Sequence, residues 1–372
     1  MLYHRKCQKG FGRDYRSFSH LAVIGSTFTA LTAGFGFAAV LSFHSGLGWS
    51  VGDWWTPTTQ AHGHVQLIGW LGLFIVGVSL FFVPRLSGVP LQSPRLVVWV
   101  VSFLLGGVCL RGVLQPILPF FHHGAVLAGL LLSAFLEAVG IAIYLYLILS
   151  SVLRASVDRS ALMSIRPYLV STICGWIGFT VLNVYLSYDV WLNNRQIFDL
   201  RWTRLATDLF LGATLIPVCL AFSVRTFPLY LRLPAAKWRV QALGIGYLLV
   251  FLMLWAIEAW MTWESGRHLS GVGHALRGTL LILFIWKLDV LLRIKEPWTS
   301  GQIAEPSDGA NPTRPGLPDH GEFGRFERLL YLAYGWLLVG SALDLYLGLS
   351  RIAGYPDPID ADALRHVFLA GF

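Results

Sequence analysis

The sequence predicts an all-α fold: a polytopic transmembrane helix bundle with nine full spans, the start of a tenth, and a cytoplasmic N-terminus. Three observations lead there. Of the 372 residues, 55 % are hydrophobic and only 13 % are charged, against roughly 25 % charged in ordinary soluble domains. So few charges cannot cover a water-soluble globule of this size, and lipid must be the solvent for most of the chain. Nine apolar runs have the length of about 20 residues that crosses a bilayer as a helix. Lysine and arginine, finally, gather in every second loop, the bias that sets orientation.

In order, the runs fall at 18–43, 62–83, 96–119, 123–150, 168–190, 204–225, 239–261, 270–292 and 327–349. Residues 1–17 are a basic tail with Arg5, Lys6, Lys9, Arg13 and Arg16; the apolar run behind it is too long for a cleavable signal peptide. Residues 18–295 hold eight spans. Residues 296–325 contain five prolines among Gly, Asp and Glu and read as a flexible cytoplasmic linker. Residues 326–372 carry the ninth span and the start of a tenth at Asp362. The stop at Phe372, too early for a tenth crossing, is expected of a fragment or an unusually short family member.

The N-terminal side collects 19 of the 28 Lys and Arg residues; six fall on the other side, Arg111 counted among them, and Arg277, Lys287 and Arg365 lie within spans. The net charge of +8 therefore reports topology and not a nucleic-acid partner. The four cysteines, Cys7, Cys109, Cys174 and Cys219, include no CxxC pair and predict neither a disulfide framework nor a thiolate metal site. Spacings such as Ala30/Gly34 and Ala125/Gly129 are those that let membrane helices approach closely.

Histidine placement is the most informative feature. Eight of the eleven, His44, His62, His64, His122, His123, His268, His274 and His366, map to one outer layer; only His4, His20 and His320 map to the cytoplasmic side. Imidazole ligates both haem and copper, and polar groups at membrane depth mark functional interiors. His62, His64, His122, His123, His274 and His366 are thus candidate metal ligands, with interfacial histidines bonded to water as the alternative. His62 and His64 are two apart and point about 200° away from each other on a regular helix, so both cannot serve one pocket there. Gly69 below His62 either clears room for a flat macrocycle or packs against a helix. The adjacent pair His122–His123 either binds copper or caps a wet helix entrance.

Glu137, Asp208, Glu258 and Asp344 are acids within spans, and Arg277 lies three residues beyond His274 on the same face. They are read as counter-charges for a cofactor, as a proton route, or as packing hydrogen bonds. Tryptophans near the outer loops, such as Trp49, Trp54 and Trp55, fit an interface belt.

The stretch His62-Gly63-His64-Val65-Gln66-Leu67-Ile68-Gly69 resembles the H-x-H-x-x-L-x-G motif of the NnrS family. Val83-Pro84-Arg85-Leu86-Ser87-Gly88 is similar to that family's V-P-x-x-[ST]-G element, Tyr15–Phe18 to its entry into helix 1, and Asp362–His366 to the opening of a later histidine-bearing helix. Ala61-His62-Gly63 is also similar to the helix-2 haem-ligand motif of the haem–copper oxidase catalytic subunit. The resemblance implies a twelve-helix bacterial inner-membrane protein that carries haem and copper and takes part in the response to nitric oxide. Taken with the histidine layer and its counter-charges, it gives cofactor contacts at His62, His64, His274, His366, Arg277 and Gly69, with an electron donor or a respiratory complex as partner beside the lipid bilayer. Two other function classes remain open: a cofactor-free transporter or channel using the outer histidines and acids, and an assembly or structural subunit of a respiratory complex.

Overall fold

A computed structural model describes residues 14–155, 160–230, 236, 238–261, 263–292 and 327–372. The basic tail up to Arg13, with His4 and Cys7, lies outside the described residues, as do the 296–325 linker and His320.

Among the described residues, ten helices follow in chain order. Helix α1 runs from Asp14–Thr29 through a π-helical turn, Ala30–Gly34, into Phe35–Gly46. Helix α2 is Trp55–Ser87, with π geometry at Val65–Gly72. Then come α3 (Leu96–Ile117), α4 (Gly124–Leu153) and α5 (Ser160–Leu192). Helix α6 is Leu200–Leu209, a π segment Phe210–Leu215, and Ile216–Tyr230. Last are α7 (Val240–Trp260), α8 (Trp263–Leu288), α9 (Glu327–Ile352) and the short α10 (Ala361–His366), which runs into Val367–Gly371. Among the described residues there is no strand, and α1 through α9 are each long and apolar enough to cross a membrane. The chain is an all-α, multi-pass membrane protein.

Helix ends follow local chemistry. His123, Asp199 and Asp360 cap α4, α6 and α10, each side chain accepting a backbone N–H of the first turn. Helix α2 stops at Gly88, which adopts φ 65° while its N–H bonds the Arg85 carbonyl. Pro84, Pro116 and Pro228 sit near the C-terminal ends of α2, α3 and α6, so the i→i−4 bond each removes does not interrupt the body of its helix.

The chain divides into two compact units. One comprises Met1–Leu162 with Trp176–Phe210, the other Met163–Gly175 with Leu211–Phe372. The division falls inside α5 and α6, within the segment that the apolar runs group as eight spans. In the first unit α3 packs along α4, and α1 along α2. In the second α8 lies between α7 and α9. Its α8–α9 contact is close: a Cβ added at Gly278 would lie 2.5 Å from the Ser341 carbonyl oxygen and 2.8 Å from the Leu345 nitrogen. Glycine at that crossing lets the two backbones meet, which decides where their polar side chains end up.

The π segments have a consistent partner. A π turn shifts the i→i−4 ladder and loosens its hold on nearby carbonyls. Side chains of neighbouring helices donate to those carbonyls: Thr29 to Gly69 (2.6 Å), Ser26 to Trp70 (2.8 Å), Ser171 to Ala213 (3.0 Å) and Tyr247 to Gly212 (2.8 Å). His62 Nδ1 likewise lies 2.9 Å from the Gly34 carbonyl. In lipid every backbone group must find a partner inside the protein, and these donors meet that demand.

Candidate functional site

Each unit carries one buried histidine held on a buried carboxylate. In the first unit, His64 of α2 places Nε2 2.9 and 3.0 Å from the two oxygens of Glu137 on α4. Asn183 of α5 donates Nδ2 to Glu137 (2.8 Å), and its Oδ1 accepts Arg111 Nη1 of α3 (2.7 Å). Arg111 Nε donates to Gln115 (3.0 Å) and Gln115 to Gln60 of α2 (3.2 Å). Gln60 then pairs with both backbone groups of Phe198, donating to its carbonyl at 2.8 Å and accepting its N–H at 3.2 Å. The Arg111 guanidinium lies over the Phe198 ring, 4.2 Å from its centroid. Every member of this chain is buried, Glu137 completely.

Glu137 reaches its partners because α3 yields space. A Cβ at Gly107 would lie 2.6 Å from Glu137 Cγ and 2.8 Å from the Ser133 carbonyl, and Ser133 Oγ donates back to the Gly107 carbonyl at 2.9 Å. The charges of Glu137 and Arg111 are not in direct contact; Asn183 stands between them, one end on each. That orientation is fixed, since only the amide nitrogen can donate to a carboxylate and only the amide oxygen can accept a guanidinium.

In the second unit, His274 of α8 places Nδ1 2.7 Å from Asp344 Oδ1 on α9. Arg277 grips both oxygens of the same carboxylate at 2.7 Å, through Nε and Nη2, the bidentate fork that suits guanidinium and carboxylate. His274 Nε2 faces Glu258 of α7 at 3.7 Å. Glu258 accepts Ser270 Oγ at 2.5 Å and Arg351 Nη1 at 3.0 Å. Arg351 also holds Asp357 at 2.8 Å, and Arg267 lies 3.6 Å from Asp357. The Asp344 side chain is 0 % exposed, the Glu258 side chain 38 % and Asp357 25 %. This cluster thus grades from solvent-accessible acids to a sealed one.

The other candidate residues are placed as follows. His62 and His64 do diverge, His62 toward α1 and His64 toward α4. Gly69 packs against Thr29 and Val108, which a Cβ would meet at 3.1 and 2.8 Å. His123 spends Nδ1 on the Ala125 N–H (3.2 Å) as a helix cap, while half-buried His122 has a buried Nδ1 with no hydrogen-bond partner. His366 is exposed, its Nδ1 2.7 Å from the Asp362 carbonyl. Arg277 meets Asp344, as its shared face with His274 suggests. Among the described residues, no three His, Cys, Asp or Glu side chains are grouped so as to hold a metal ion. Cys109, Cys174 and Cys219 are unpaired thiols.

One assignment is corrected. Arg111, counted above with the basic residues of the outer side, is buried inside α3 at 3 % exposure and anchors the first centre. Gln60, Gln115, Asn183 and Ser187, whose Oγ accepts Arg111 Nη1 at 3.4 Å, are not singled out by the sequence either. A signal was present: Gln60/His64, Arg111/Gln115 and Asn183/Ser187 are polar pairs four apart within apolar runs, which places each pair on one helix face.

No family model, no curated protein and no solved structure matches the chain. The likeness at His62–Gly69 stands on those residues alone.

Proposed function

We propose that this multi-pass membrane protein binds haem through His62 and takes part in the response to nitric oxide. The observation that carries the reading is the 2.9 Å approach of His62 Nδ1 to the Gly34 carbonyl at the end of the α1 π turn. A carbonyl acceptor fixes the proton on Nδ1 and makes Nε2 the basic nitrogen, the tautomer an axial imidazole needs. The surroundings fit such a group. Gln66, one turn on from His62, has a buried Oε1 without a hydrogen-bond partner, and it abuts Gly34, where a Cβ would lie 2.8 Å from that oxygen. Buried unpaired acceptors are rare and ask for an explanation.

The chain's own residues would orient the ring through Gly34 and exclude water with the apolar turns of α1 and α2. A bound haem would supply an iron that takes nitric oxide as a ligand. In this reading the protein sits in a bacterial inner membrane, as the resemblance implies, and the distribution of lysine and arginine argues for a cytoplasmic N-terminus. The test is an optical spectrum of the full chain purified from haem-replete cells. A Soret band is expected, perturbed by nitric oxide and greatly diminished in His62→Ala. A colourless but folded preparation rejects the proposal.

A further inference from the structure

We infer that His274 is a proton-binding site, loaded from water through Glu258. This inference does not rest on ligation at His62; it takes His274 and Arg277, counted above among the candidate cofactor contacts, as a proton site on the geometry of their carboxylates.

The geometry points to it in three steps. First, the imidazole bridges two carboxylates on different helices: Nδ1 lies 2.7 Å from Asp344 of α9 and Nε2 lies 3.7 Å from Glu258 of α7. Second, the two carboxylates differ in access. Asp344 is sealed from solvent and forked by Arg277, whereas the Glu258 side chain is 38 % exposed. Asp344 lies eight residues before the end of α9, roughly 12 Å of helix, so the site is below the surface and Glu258 is its way out. Third, among the described residues, each acid around the imidazole is met by an arginine. Glu258, Asp344 and Asp357 face Arg267, Arg277 and Arg351, and Tyr247 of α7 is the further titratable group within electrostatic reach of Arg277 and Asp344. An added proton on His274 is therefore flanked by carboxylate oxygen on both ring nitrogens.

The step is a plain proton transfer. Glu258 takes a proton from hydronium, releasing water, and loses its hold on Arg351 as its charge is neutralised. Its side chain then turns the remaining distance to Nε2, or one water bridges it. The carboxyl O–H bond breaks, the Nε2–H bond forms, and Glu258, again a carboxylate, returns to Ser270 and Arg351. Asp344, fixed by Arg277, does not accept the proton. It orients the ring by accepting Nδ1–H and stabilises the imidazolium that results.

The experiment is time-resolved infrared difference spectroscopy on the full chain in lipid nanodiscs after a downward pH jump. An imidazolium band is expected that His274→Gln removes. Glu258→Gln should slow its appearance about 10²-fold, the usual worth of a positioned acid or base, and Glu258→Asp should recover part of the rate. A merely structural Glu258 would leave that rate unchanged. An E258Q rate equal to wild type, or a wild-type spectrum with no band assignable to His274, overturns the inference. Should His274→Gln fail to fold, the rate comparison at partly exposed Glu258 decides alone.

Discussion

The two units hold a histidine, a carboxylate and an arginine in different ways. In the first, Glu137 and Arg111 are kept apart by the Asn183 amide, and the whole chain from His64 to Phe198 is buried. In the second, Asp344 and Arg277 touch through a two-point fork, and the cluster opens toward solvent at Glu258 and Asp357. Burying charge in a membrane is expensive either way. The first centre meets the cost with neutral amides that satisfy each charged group separately. The second meets it by direct pairing, which leaves the imidazole and an exposed acid to exchange protons. One arrangement suits a fixed scaffold and the other a working site.

The sharpest way to break this contrast is to remove each carboxylate's charge. Asp344→Asn strands Arg277 beside an amide and is expected to destabilise the protein by about 3–5 kcal/mol, the cost of orphaning one partner of a buried ion pair. Glu137→Gln should cost less, about 1–3 kcal/mol, because every hydrogen bond from Arg111 goes to a neutral oxygen and survives. Unfolding by SDS titration in mixed micelles measures both; equal losses would erase the distinction between paired and bridged charge. A smaller effect sharpens it. Thr29→Val removes the donor to the Gly69 carbonyl in the α2 π segment and should cost about 1 kcal/mol, the scale of a single hydrogen bond between membrane helices. No loss in that variant would mean that the π turn needs no support from α1.

Much of this was legible beforehand, and the failures have a shared cause. Helix number and approximate limits follow from apolar run length, because a span must bury about 20 residues whatever its neighbours do. The opposed directions of His62 and His64 follow from helix periodicity, as does the shared face of His274 and Arg277. Arg111 lies well inside the 96–119 run, and a lone charge there is taken for an outer-side residue until its partners Gln115 and Asn183 are known. Asn183 and Gln60 drew no attention because a lone amide in an apolar run carries no chemistry by itself. The partner of each histidine was equally out of reach: Glu137 lies 73 residues from His64 and Asp344 lies 70 from His274.

The order of residues by itself determined that the chain lives in lipid, that it crosses several times as helices, and which polar groups are carried into the apolar phase. Burial of backbone polar groups in hydrocarbon forces helices locally, with no reference to distant residues. Only the tertiary structure decided which carboxylate each imidazole meets, that an asparagine separates Arg111 from Glu137, and that Glu258 stays partly exposed while Asp344 is sealed. Those outcomes depend on close approaches between helices at positions such as Gly107 and Gly278, and a crossing between two helices is written in neither one alone.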